Sequence, residues 1–197
     1  MDNYTLSRDR AQAWFLRFDQ QALIGRWQLP HDEKRLYVRF LGRDYAIDRA
    51  SGQVFRGDIQ AGFSETLSIF DLLCHEGEGK CVSGRLAPVN SLRGAPKTGV
   101  GTDFHREAAA VFDRDIPAFR AACRALGGTE AKLGDVGYTF PLFGELTVTL
   151  KFYRADEEFP AGITLLWDEN LLQYIYYETV FYIAGHLLST IREQLPN

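Results

Sequence analysis

The chain has 197 residues, 46% of them hydrophobic, with a formal net charge of −4 and a pI near 5.6. That apolar content supports a sizeable core and excludes a disordered chain. The acidic balance argues against non-specific nucleic-acid binding, which needs clustered Lys and Arg against phosphate.

The cluster Arg8, Arg10 and Arg17 reads as the solvated face of a helix. No apolar run reaches the roughly 18 residues of a membrane span, and the N-terminus is polar, without a signal-peptide core. Cys74, Cys81 and Cys123 are an odd, sparse set that fits a reducing compartment. The expectation is a soluble, cytoplasmic protein of one domain, residues 1–197.

Residues 5–18 read as a helix with Ala11, Trp14, Phe15 and Phe18 on its apolar stripe. A second short helix is expected from Asp19 to Ile24, stopped by Gly25. Arg35 to Arg56 reads as a three-stranded meander turning at Gly42-Arg43 and at Ala50-Ser51-Gly52.

Phe63 to His75 is a helix with Leu67, Phe70 and Leu73 on one face and Ser64 as its N-cap. Gly77 and Gly79 break it. Residues 81–101 carry Gly84, Gly94, Gly99 and Gly101 with Pro88 and Pro96, an irregular stretch suited to a functional loop. Helices follow at Asp103–Phe112 and Ile116–Leu126, the second opened by Asp115 with Pro117 in its first turn and closed by Gly127-Gly128.

From Glu145 the pattern alternates. Leu146, Val148, Leu150 and Phe152 face one way and Thr147, Thr149, Lys151 and Tyr153 the other, a strand with one buried face. After the acidic loop Asp156-Glu157-Glu158-Phe159-Pro160, the apolar run Ile163 to Trp167 predicts a deeper strand paired antiparallel to the first. Glu178 to Leu195 is a closing helix with Phe181, Ala184, Leu187, Leu188, Ile191 and Leu195 in one stripe. Strands cluster with strands, which favours α+β: a largely antiparallel sheet, N-terminal meander plus C-terminal hairpin, packed against several helices.

The acidic loop with Phe159-Pro160, then Ile163 to Asp168 and a final helix, resembles the bacterial and archaeal family called domain of unknown function 3786. So do Asp71-Leu72-Leu73-Cys74-His75 followed by Val82-Ser83-Gly84-Arg85 and Leu92-Arg93-Gly94, and Phe40-Leu41-Gly42 with Tyr45 and Ile47. Together these span most of the chain. Cys74-His75 stands where the family pattern has a Tyr. The resemblance implies a cytoplasmic setting, in some members beside iron–sulfur or corrinoid modules, and supplies no activity. This chain has no cluster-ligating cysteine pattern of its own.

Several candidates carry chemistry. Arg85 and Arg93, with Asn90, Ser91 and nearby glycines, can hold an anion, though without phosphate-loop spacing. Asp156, Glu157 and Glu158 are oxygen ligands for Mg²⁺ or Ca²⁺, or an acid–base pair, but an acidic hairpin loop most simply serves solubility. His186 recurs with Glu178, Tyr182 and Ser189 at helical steps, in reach of general-base work if something faces it. Cys74, His75 and Cys81 lack the short paired spacings of a zinc site and read as structural. Tyr174, Tyr176 and Tyr177 read as core or a homodimer contact.

The first expectation is a non-catalytic binding or accessory domain acting with a protein or small-molecule partner. The second is an enzyme or cofactor-handling protein with its site between residues 81–101 and 156–158. The sequence assigns no catalytic residue, no cofactor and no metal.

Overall fold

The computed structural model describes residues 3–76, 80–96 and 103–196. Six helices pack against two antiparallel sheets among these residues, so the chain is α+β. Gly77 and Gly79, read above as breaking the helix, and Gly99 and Gly101 of the irregular stretch lie outside the described residues. No helix among the described residues is long and apolar enough to cross a membrane.

The first sheet runs β1 (Arg35–Phe40), β2 (Arg43–Asp48), β3 (Val54–Arg56) and β4 (Ile59–Gln60), each antiparallel to the last. It has one strand more than the sequence predicted, because the turn at Gly57 sends the chain back for two further residues. The alternation of Leu36, Val38 and Phe40 places these three in the core and Tyr37 and Arg39 outside. Gly42 turns β1 into β2 at φ 74°, and a side chain there would collide with the Leu126 carbonyl.

The second sheet has the order β5 (Leu86–Pro88), β9 (Gly162–Asp168), β8 (Leu146–Tyr153), β7 (Val136–Phe143), β6 (Thr129–Glu130). The predicted hairpin is β8 and β9, with Leu150 opposite Leu165 and Val148 opposite Trp167. Leu146, Val148, Leu150 and Phe152 are all buried, and burying each large apolar side chain stabilises by roughly 1.5–3 kcal/mol. β9 is not the deeper strand: Ile163 is half-buried and Thr164 exposed, since β5 covers only its Leu166–Asp168 end.

Pro141 is accommodated in β7 because the short β6 pairs only with Tyr138 and Thr139, and a register shift follows between Pro141 and Phe143. Part of the irregular stretch is ordered as β5 and a 3-10 turn at Val89–Ser91. The two sheets meet where the Leu41 N–H donates to the Leu142 carbonyl, 3.2 Å.

Helix α1 is Asn3–Phe15 and α2 is Gln20–Trp27. Asp19 caps α2 by accepting from the N–H groups of Gln21 and Ala22. Gly25 does not stop it, since one helical glycine costs only about 1 kcal/mol; the end comes at Gln28, in the left-handed region at φ 51°. Helix α3 (Phe63–Cys74) begins at Gly62, not Ser64, and its Glu65 carboxylate accepts the Gly62 N–H at 2.8 Å.

Helix α4 is Asp103–Phe112, and α5 is Ile116–Ala125, with Asp115 accepting from Ala118 N–H as predicted. Helix α6 (Tyr177–Glu193) buries Val180, Ile183, Ala184, Leu187, Leu188 and Ile191, while Phe181 sits half-buried at the flank of the stripe. The buried side chains form one hydrophobic cluster from Ala11 to Ile191.

Candidate functional site

The sequence-predicted residues divide by position along β9. Arg85 and Arg93 lie beside its C-terminal end, where β5 pairs with Leu166–Asp168. Both reach Glu169, at 3.7 and 3.1 Å, with side chains 75% and 65% exposed. Asp156, Glu157 and Glu158 are exposed beyond its N-terminal end. Seven strand residues rise about 20 Å, so the arginines and the acids share no pocket.

Asp156 is occupied by its own turn. Its carboxylate accepts from the N–H groups of Glu158 and Phe159 at 2.9 and 2.7 Å, which hold its pKa below the ordinary value. The stretch after Cys81 is held by Asp168 instead. That buried carboxylate accepts from Ser83 Oγ, Gly84 N–H and Asn170 N–H. Burial pushes its pKa up, but these hydrogen bonds outweigh burial and bring it below the ordinary value.

Cys74, His75 and Cys81 do not converge on a metal position. His75 Nδ1 pairs with Asp71 Oδ1 at 3.2 Å, and Asp71 Oδ2 accepts the Tyr176 N–H at 2.8 Å, joining α3 to the start of α6. Burial pushes the Cys74 and Cys123 thiols up to about 12, which keeps them inert at neutral pH. No group of three His, Cys, Asp or Glu among the described residues could hold a metal ion. Of the three tyrosines near α6, Tyr174 is buried, Tyr177 half-buried and Tyr176 exposed.

His186 is different, because other elements do face it. Tyr45 on β2 donates its hydroxyl to Glu65 Oε1 at 2.7 Å and lies 3.3 Å from His186 Nε2. The His186 ring stacks on Phe40 of β1, centroids 5.7 Å apart and planes 10° apart. Tyr45 is fully buried, and the side chains of Glu65 and His186 are 16% and 10% exposed. Burial pushes the Tyr45 hydroxyl well above its usual range, and the bond to Glu65 adds to the shift. Burial also raises the Glu65 carboxyl, yet hydrogen bonds from Tyr45 and Gly62 outweigh it and hold the pKa below the ordinary value.

For His186, burial lowers the pKa; Arg43 and Arg56 push the same way, against Glu65 and Glu193. Tyr182, His186 and Ser189, three of the four residues picked out by helical spacing, line one cleft of about 410 Å³ with Phe63, Ser64 and Glu65. Glu178 lies in a separate groove beside Trp14 and Asp71.

A larger cleft is built mostly from residues the sequence did not single out, Tyr174 excepted. About 670 Å³ opens between the end of α2, the β7–β8 turn and residues 80–82. Trp27, Phe143 and Tyr174 give it aromatic walls, with Arg26, Lys80 and Glu145 among its polar groups. Lys80 is fixed in place: its Nζ donates to the His75 carbonyl at 2.6 Å and sits 5.4 Å from the centre of the Tyr174 ring. Burial and then the Arg26 charge lower the Lys80 pKa, against the opposing pull of Asp71 and Glu76. Neither Arg26 nor Lys80 forms an ion pair with a carboxylate among the described residues. No local signal marks this site, since Arg26 and Lys80 are distant in sequence and only the fold brings them to one cleft.

The profile of the family described as domain of unknown function (DUF3786) matches residues 19–190. The chain belongs to that family. The match takes in both clefts, β1–β9 and most of α6, and leaves outside it only α1 and the two chain ends. No curated protein matches the chain, and no solved structure does.

Proposed function

We propose that this DUF3786 chain is a non-catalytic binding or accessory domain, and that it takes a small anionic molecule with a flat apolar body into the cleft of Arg26 and Lys80. The observation that carries this reading is that Arg26 and Lys80, neither in an ion pair among the described residues, line one cleft with the aromatic walls of Trp27, Phe143 and Tyr174. A carboxylate or phosphate in this cleft gains attraction from both cations. The cleft volume falls in the range of about 300–1,000 Å³ usual for small-molecule sites, which favours a small molecule over a protein partner. Three unpaired cysteines support a reducing, cytoplasmic setting.

The test is a titration of the full chain with benzoate and phenyl phosphate, following tryptophan fluorescence, with Trp27→Phe to assign the signal. Quenching is expected at Trp27, and the double charge reversal Arg26→Glu/Lys80→Glu should weaken binding at least about tenfold. Equal binding by the double variant, or no binding of either probe, would overturn the reading.

A further inference from the structure

We propose that the cleft between the start of α3 and the middle of α6 is a second ligand site, in which His186 accepts a hydrogen bond from a neutral, hydroxylated ring compound. This site is independent of the Arg26–Lys80 cleft.

The tautomer follows from counting protons. Tyr45 has one hydroxyl proton, and the 2.7 Å bond to Glu65 Oε1 takes it. Toward His186 the same hydroxyl can only accept, so Nε2 carries the ring proton and donates to it across 3.3 Å. In the neutral ring, the form that burial favours, Nδ1 is then a bare lone pair. Nδ1 has no hydrogen-bond partner among the described residues, on a side chain that is 10% exposed and lines the cleft. The chain therefore holds an imidazole acceptor in one fixed orientation, with Phe40 stacked behind it and Tyr45 and Glu65 fixing the far nitrogen.

The chemistry of the walls selects the ligand. Glu65 has both oxygens engaged, by Tyr45 and by the Gly62 N–H, with Arg56 at 3.9 Å. Arg43, the other nearby cation, is paired with Glu193 at 3.1 Å. An ionic ligand would find no uncompensated counter-charge. Hydroxyls of Ser64, Ser189 and Tyr182 line the opening, and Ser189 keeps lone pairs while donating to the His186 carbonyl at 3.0 Å. Phe63 and Tyr182 meet edge to face, centroids 5.2 Å apart, and offer the apolar wall a ring needs. A neutral ring bearing hydroxyls satisfies all of these, and it can be aromatic or saturated.

The experiment uses the full chain and two probes, phenol for the aromatic class and methyl glucoside for the saturated one. Ligand-observed saturation transfer gives binding, and nitrogen NMR of the histidine side chains gives the tautomer. At neutral pH the His186 ring should show the proton on Nε2, with Nδ1 shifting as the bound probe is titrated in. His186→Gln should weaken the bound probe about tenfold, the worth of one hydrogen bond. Ser189→Trp, at an exposed position on the rim, should block the cleft and loses only the Ser189 bond to the His186 carbonyl, leaving the Tyr45, Glu65 and His186 side chains in place, so a folding defect in the first variant leaves the test intact. Transfer to only one probe identifies the class. Absence of transfer to both, unchanged binding in Ser189→Trp, or a proton on Nδ1 would overturn the proposal.

Discussion

The tip of the β8–β9 hairpin and the Tyr45–Glu65–His186 junction both concentrate ionisable groups, and they spend them in opposite ways. At the tip, Asp156 bonds backbone two and three residues away, and Glu157 and Glu158 stand in water. At the junction, three side chains from β2, α3 and α6 meet over sequence separations of 20 and 141 residues, nearly out of solvent. A local turn needs nothing from the rest of the fold. A buried network constrains three elements at once, and leaving one of its members unpaired carries the full cost of desolvation.

The largest expected effect is therefore Glu65→Ala. It strips the acceptor from the buried Tyr45 hydroxyl and from the Gly62 N–H that opens α3. A loss of about 2–4 kcal/mol is expected in urea unfolding. A loss below about 0.5 kcal/mol would erase the distinction between the two regions.

Next comes pH. His186 faces Tyr45 from β2, Phe40 from β1 and Glu65 from α3, with Arg43, Arg56 and Glu193 acting by charge. Its folded pKa lies below the ordinary value of 6.5, and burial also lowers that of His105. The unfolded chain then takes up protons first as pH falls. Their contribution to stability is complete above about pH 6.5 and is lost as pH falls from there through the folded pKa values. The urea midpoint should drop between about pH 7.5 and pH 5.5, and His186→Gln should flatten that slope. Asp156 lies too low to titrate in this window, so an Asp156→Ala variant should keep the slope of the parent.

How much of this was legible in the sequence depends on whether the cause was local. The alternation of Leu146 to Tyr153 and the Asp115-Ile116-Pro117 helix start are written within a few residues, and both appear as expected. Strand β7 was hidden by Gly137 and Pro141, residues that usually interrupt a strand. Gly137 fits because its carbonyl receives the Ala131 N–H and a side chain there would strike the Ala131 carbonyl. Strand β5 has three residues and a proline, so only its pairing with β9 reveals it. His186 could be noticed by helical spacing, but Tyr45 reads as an ordinary buried strand position and Glu65 as a first-turn acid. Arg26 and Lys80 left no local trace at all.

A smaller effect is expected at the tip itself. Asp156→Ala removes two hydrogen bonds to exposed N–H groups that water can replace, so the urea midpoint should stay close to that of the parent.

The smallest belongs to the double variant Arg85→Ala/Arg93→Ala. Both guanidinium groups are mostly in water, so their attraction to Glu169 is screened and contributes about 0–1 kcal/mol in all. The strap they belong to is held by main chain that alanine preserves: Glu169 N–H donates to the Arg85 carbonyl at 2.8 Å, and Arg93 N–H to the Glu169 carbonyl at 2.9 Å. Asp168 anchors the same stretch from beneath through Ser83 and Gly84. Only Glu169, its side chain 14% exposed, is left without a charged partner, and that is the one term able to raise the cost. Calorimetric unfolding of the double variant near that of the parent would place both arginines with the hairpin tip, as solvated surface. A loss above about 2 kcal/mol would instead show that Glu169 depends on them and move the pair to the side of the buried junction.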